Sequence, residues 1–362
     1  MNIALRIGKI VLIVVAAIVA VVAVLLLYLT LSARVWYPRQ RGRVQEVREQ
    51  PIEKLDEDRF AVAPLDDQLP MNRLQMIATH NSYHLEPEWI RKALIGIVEP
   101  EEPAKLSYSH RPLWDQLQGG IRSFELDVRY NGSRFTITHV PLVDSRGPHP
   151  DFVLALAEIV AWSERHPGHV PIVVLLELKS DWMFLNPFLK EWDSDALAKL
   201  DGVIRSSIPS GRLLTPDRVR GTRLTLSAAI RAEGWPALGE VRDTIMVILH
   251  TDDALDPLYV NVDPSLAGRP MFTSFRPDAP REDAVIVIHN DPDQASIAEL
   301  TSRGFLVRTR ADGDGVSGGP DRSEALGSRA QLISTAYPPG HINGERGETV
   351  SFSSGATLQQ WQ

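Results

Sequence analysis

The chain contains no cysteine. Disulfides and thiolate metal sites are therefore excluded outright, although many exported proteins manage without either. It also lacks a basic excess. Lys and Arg number 38 against 46 Asp and Glu, a formal net charge of −8. That balance speaks against a nucleic-acid partner. The GxGxxG spacing at Gly313 to Gly318 falls inside a glycine-rich loop and not directly at a strand end, so a dinucleotide cofactor is not expected. Low-complexity tracts and internal repeats are missing as well. What remains is an ordinary globular composition, 44% hydrophobic and 23% charged over 362 residues.

The N-terminus departs from that average. Ile10 to Leu31 carries no charge, and about 20 such residues span a bilayer core. Arg6 and Lys9 precede the run, and Arg34, Trp36 and Tyr37 follow it as interfacial anchors. Leu31-Ser32-Ala33 is a poor small-x-small cleavage site. We expect a membrane anchor over 1–34, with a secretory signal as the alternative. A juxtamembrane linker with one short exposed helix is expected over 35–70, and a single catalytic domain over 71–362.

From Met71 onwards strand-length apolar runs alternate with helical segments. The predicted strands are Leu74–Ala78, Ser123–Val128, Val170–Leu178, Arg223–Ser227, Thr244–Leu249, Ala284–His289, Phe305–Arg308 and Gln331–Ser334. Helices are expected over Asp151–Arg165, Asp193–Ser206 and Asp293–Arg303. This rhythm predicts an α/β fold, a (β/α)8 barrel, with a doubly wound sheet as runner-up. Asn131-Gly132 predicts a hairpin turn that brings His139 back towards the end of the second strand. Long loops over His84–His110 and Asp312–Pro320 are expected to build the active face.

The chemistry clusters at strand ends. Glu125 and Asp127 stand two apart in FELDVRY, so both point to one face, while Phe124, Leu126 and Val128 take the other. Glu177 and Lys179 repeat the spacing in LELKS. His80 closes the first strand and His139 the returning one. Glu125, Asp127, Glu177 and the Asn81 amide offer only oxygen ligands. Such a set suits a hard cation, Ca²⁺ or Mg²⁺. Two imidazoles are a natural general acid and base pair. Lys179 suits an anionic group such as phosphate. Together they suggest in-line displacement at phosphorus. Each part also has a plain structural use: a strand-end His is more often structural, the ExD acids can pair with Arg122 or Arg129, and ExK can be a salt bridge in a barrel interior.

The ordered motifs THNSYH, FELDVRY, THV, LELKSDW, VRTRAD and QLISTAYP resemble the calcium-dependent phosphatidylinositol-specific phospholipase C family, of the PLC-like phosphodiesterase superfamily of TIM barrels. The resemblance spans roughly Arg73 to Pro338. It implies His80 as general base, His139 as general acid, and Asn81, Glu125, Asp127 and Glu177 as ligands of a Ca²⁺ ion, with Mg²⁺ as the second choice. It implies Lys179 on the phosphate, and Arg310 and Tyr337 lining the headgroup pocket. Ala336 stands where the family usually carries an Asp, which bears on headgroup preference and not on the phosphodiester chemistry. The implied substrate is phosphatidylinositol at a membrane surface, cleaved to diacylglycerol and a cyclic inositol phosphate, with the catalytic domain outside the cytoplasm. A glycerophosphodiesterase would show His-Arg-Gly at His80-Asn81-Ser82. A sphingomyelinase D-like enzyme and a non-catalytic phospholipid-binding barrel compete with the phospholipase C reading.

Overall fold

The computed structural model describes residues 3–250, 252–261, 263–312, 322–342 and 349–361. Eight parallel strands close a barrel: β1 (Leu74–Thr79), β2 (Ser123–Tyr130), β3 (Ile172–Leu178), β4 (Ile245–Leu249), β5 (Met271–Phe275), β6 (Ala284–Ile288), β7 (Leu306–Arg310) and β8 (Leu332–Thr335). Each pairs with the next, and β8 returns to β1 with Met76 opposite Leu332. The expected barrel is therefore the observed one. Its strands are almost wholly buried, as parallel strands covered on both sides must be.

Two sequence expectations fail, and they compensate in the strand count. Arg223–Ser227 is not a strand. Thr225 accepts a hydrogen bond from the Ala228 amide and caps a helix over Leu226–Glu233. The TLS run is an N-cap followed by a helix start. The missing strand is β5, MFTSF, whose Thr273 and Ser274 break up its apolar signal. The hairpin is observed: Phe135–Ile137 pairs antiparallel with Val128–Tyr130. Its turn is held by Asn131, whose side chain accepts from the amides of Ser133 and Arg134, and Gly132 takes φ 90°. The predicted loop Asp312–Pro320 lies almost entirely outside the described residues.

Helix α1 (Ile3–Arg34) is bare along its apolar length, long and apolar enough to cross a membrane. The expected short exposed helix is instead α2 (Trp36–Glu49), which buries Gln40, Val44 and Val47. It packs on α4 (Phe152–Arg165), an outer helix started by the Asp151 side chain. Between β1 and β2 lies α3 (Trp89–Val98). Leu94 and Ile95 of α3 join Leu106, Val140, Val143, Trp182 and Leu185 in a small apolar cluster that fastens the loops over the C-terminal end of the barrel.

Candidate active site

The site is built on the exits of the first three strands and of β7 and β8. At the exit of β1, Asn81 adopts φ 45°, a left-handed conformation that Asn tolerates better than most residues. Ser82 then locks the turn to β2: its amide donates to the Glu125 carbonyl at 2.9 Å, and its hydroxyl accepts from the Glu125 amide at 2.8 Å. The HNS segment is thus fixed beside the ExD acids by backbone bonds.

Glu125 and Asp127 share the inner face of β2. Arg308 on β7 reaches Glu125 Oε2 at 2.5 Å across the barrel, although β1 and β8 separate their strands. On the other side Lys179 lies 3.7 Å from Asp127 Oδ2 and 2.9 Å from Glu177 Oε1. Like charges two apart on a strand are held together by a cation on each. Neither Arg122 nor Arg129 serves this purpose. Arg122 pairs with Glu57 at 2.9 Å, and Arg129 with Asp181 at 2.6 Å. Arg129 also donates to the carbonyls of Thr138 and His139, which sets the loop that carries His139.

The two histidines sit in opposite surroundings. His80 Nδ1 lies 3.3 Å from the Tyr108 hydroxyl and 3.3 Å from Arg310 Nη2, while Nε2 lies 3.8 Å from Glu125. Burial, followed by the charges of Arg310 and Arg308, pushes its pKa well below the ordinary imidazole value of 6.5. His139 Nδ1 lies 2.8 Å from Asp127 Oδ2, and Nε2 lies 3.0 Å from Glu102 Oε1. Burial opposes its charge, but the bonds to Asp127 and Glu102 outweigh it and raise the pKa to about 10. Burial also works against the Asp127 carboxylate, yet Lys179 and His139 hold its pKa below the usual range. At neutral pH the mouth therefore holds one neutral and one protonated imidazole.

All nine residues singled out in the sequence lie about this mouth. Tyr337 is buried in a small cluster with Tyr108 and Ala336, and its ring meets His341 edge-on at 5.6 Å. Asp312 turns to Thr335 and the Ala336 amide, which accounts for a buried acid one strand exit away. Four further side chains take part: Arg308, Tyr108, His110 and Glu102. Arg308 had a legible signal, since it stands two before Arg310 and so shares its face. Tyr108 and His110 come from the loop between β1 and β2, where His110 lies 2.8 Å from the His80 carbonyl. Glu102 sits in a short helix over Glu102–Lys105 and has no pattern around it.

A family model described as "Phosphoinositide phospholipase C, Ca2+-dependent" matches residues 69–136 and 129–359. The chain belongs to this family. Solved structures share its fold: the calcium-dependent phosphoinositol-specific phospholipase C from Pseudomonas sp. superposes with a TM-score of 0.59 at 15% identity, over 85% of this chain and 100% of that one. The Pseudomonas enzyme in its myoinositol complex gives 0.56 at 14% identity, over 81% and 96%. The Ca²⁺-dependent phosphatidylinositol-specific phospholipase C from Streptomyces antibioticus gives 0.52 at 18% identity, over 74% and 94%. A search of curated proteins returned no match.

The donor set fits the cation for which the family is named. Asn81 Oδ1 and Asp127 Oδ1 are buried oxygens with no hydrogen bond of good geometry, although the Tyr108 and Tyr83 hydroxyls lie close to these side chains. Buried acceptors are nearly always satisfied, so two orphans beside one another's strand exits call for a ligand. All candidate donors are oxygens, as Ca²⁺ prefers. Among the described residues no three acidic or His side chains converge as a metal cluster. Glu125 and Glu177 are instead satisfied by Arg308 and Lys179.

Proposed function

We propose that this enzyme cleaves phosphatidylinositol at the bond between phosphate and diacylglycerol. One observation supports this reading above the others: two imidazoles of opposite protonation at one barrel mouth, beside a lysine and buried, partnerless oxygens. His80, kept neutral, takes the proton from the inositol 2-hydroxyl as that oxygen attacks phosphorus. His139, kept protonated, delivers its proton to the diacylglycerol oxygen as the bond from phosphorus to that oxygen breaks. The products are diacylglycerol and a cyclic inositol phosphate. Proton transfer by such groups contributes about 10²–10⁴ in rate.

Asn81, Glu125, Asp127 and Glu177 are the residues to hold Ca²⁺. When bound, the ion supplies charge stabilisation for the phosphate oxygens and acidifies the attacking hydroxyl. Lys179 adds a fixed positive charge to the same phosphate. Asp127 and Glu102 hold the His139 proton in place, and Arg129 sets the loop beneath it. Arg310 lies beside His80, where it can take a headgroup oxygen, and Tyr337 and Tyr108 close the wall behind it. The N-terminal helix α1 anchors the enzyme to the membrane that carries its substrate.

The test is phosphorus NMR on phosphatidylinositol in mixed micelles, with Ca²⁺ or with chelator, beside a His80→Ala control. A cyclic phosphate resonance that needs both Ca²⁺ and His80 is the expected result. Turnover of glycerophosphodiesters or choline lipids instead would move the substrate within the superfamily. Binding without any turnover would contradict the catalytic reading.

A further inference from the structure

Helices α1 and α2 are built into the catalytic domain. Leu29, near the end of α1, is 2% exposed, although Ile7 to Val24 stands bare. Arg91 of α3 donates to Ser32 Oγ at 2.5 Å, and its guanidinium lies 5.6 Å from the Tyr28 ring centre. The Tyr28 hydroxyl donates to Glu88, which Arg146 also engages. Arg91 is fully buried and donates further to the carbonyls of Leu142 and Val143. A buried guanidinium is costly unless acceptors surround it, and one of these belongs to α1.

The direction of α1 follows from α2. Gln40 exchanges two hydrogen bonds with the backbone of Asp151, at 2.9 and 3.1 Å. Arg43 pairs with Glu158 at 3.3 Å, and Arg165 donates to the Arg48 carbonyl at 2.5 Å. So α2 runs beside α4 in the same direction. α4 follows β2 and its hairpin, so it starts at the catalytic end of the barrel. Val35, between α1 and α2, keeps helical angles, φ −65° and ψ −17°. Hence α1 leaves the molecule beyond the catalytic end. Around its point of departure Trp89, Ile97, Phe184 and Phe188 are 72–77% exposed, on the segments that follow β1 and β3. Large apolar side chains grouped in this way mark a contact surface.

We propose that α1 and α2 form a rigid strut that presses the barrel mouth onto the same bilayer that α1 spans, with Trp89, Ile97, Phe184 and Phe188 seated in the lipid interface. The enzyme then acts on lipids of its own membrane. This rests on α1 being retained as a membrane helix, and not on which headgroup is cleaved.

The absence of cysteine makes the test clean. The full chain is placed in liposomes as Trp89→Cys, Phe188→Cys or Leu224→Cys, each labelled with a polarity-sensitive fluorophore. Leu224 is 85% exposed and lies beside Thr225, which contacts Glu282 just before β6, at the far end of the barrel. The labels at 89 and 188 shift to the blue and are quenched by shallow nitroxide lipids, while the label at 224 reports water. All three reporting water would overturn the proposal. So would a mature chain that begins after Ala33. A short Gly-Ser insertion between Arg34 and Trp36 is expected to abolish the quenching and lower hydrolysis of the host liposome about tenfold, with cleavage of a soluble headgroup ester unchanged. Quenching that survives the insertion would overturn the strut. If no lipid is cleaved by any variant, the labels still decide the orientation, and only the catalytic reading fails.

Discussion

The mouth of the barrel has two halves that treat the same side chain in opposite ways. Around His80 stand Arg308, Arg310 and a tyrosine hydroxyl. Around His139 stand Asp127 and Glu102. Both imidazoles are buried, and burial alone would strip the proton from each. The difference lies in what the chain places within hydrogen-bond reach. A neutral and a charged imidazole therefore coexist about one mouth at one pH, the arrangement that the proposed proton transfers require.

The largest effect expected is on catalysis. His80→Ala and His139→Ala should each lower turnover of phosphatidylinositol by about 10³, with calcium binding retained, as read by phosphorus NMR and calorimetry. The next breaks the cationic half. Arg308→Ala leaves Glu125 buried without its partner and should cost about 3–5 kcal/mol of stability in urea unfolding. It should also let the His80 pKa rise, because one of the charges that depress it is gone. Glu102→Gln weakens the anionic half. It removes one of two groups that raise the His139 pKa, so the alkaline limb of the rate profile should move to lower pH, with turnover near neutrality reduced only a few-fold.

The smallest effect concerns stability. His139 has a folded pKa of about 10 against an ordinary 6.5. Its charge therefore stabilises the calcium-free fold fully below pH 6.5, and that contribution is lost as pH rises through about 10. The gap in Tm between the wild type and His139→Gln, measured with chelator, should narrow over that window.

Much of this contrast is legible in the amino-acid sequence. Period-two spacing puts Glu125 with Asp127 and Glu177 with Lys179, and the Asn131-Gly132 turn folds His139 back to Asp127. Those are local rules with short range. Arg308 needs one further step, because its meeting with Glu125 depends on barrel closure rather than on adjacent strands. Glu102 lies beyond reach: it comes from a loop with no periodicity, positioned by an apolar cluster drawn from four separate segments. The same limit explains α2. A charged, weakly patterned segment reads as a linker, and only Gln40, Val44 and Val47 meeting α4 reveal its docking. β5 is hidden because two hydroxyl side chains, Thr273 and Ser274, sit inside a buried strand and bond to Asp283 and the Leu249 carbonyl.

The most direct measurement is a nitrogen-15 NMR titration of the two imidazoles in the calcium-free protein. His80 is expected to stay neutral at and above pH 6.5, and His139 to keep its proton until about pH 10. Both rings titrating together near the ordinary value of 6.5 would contradict this expectation.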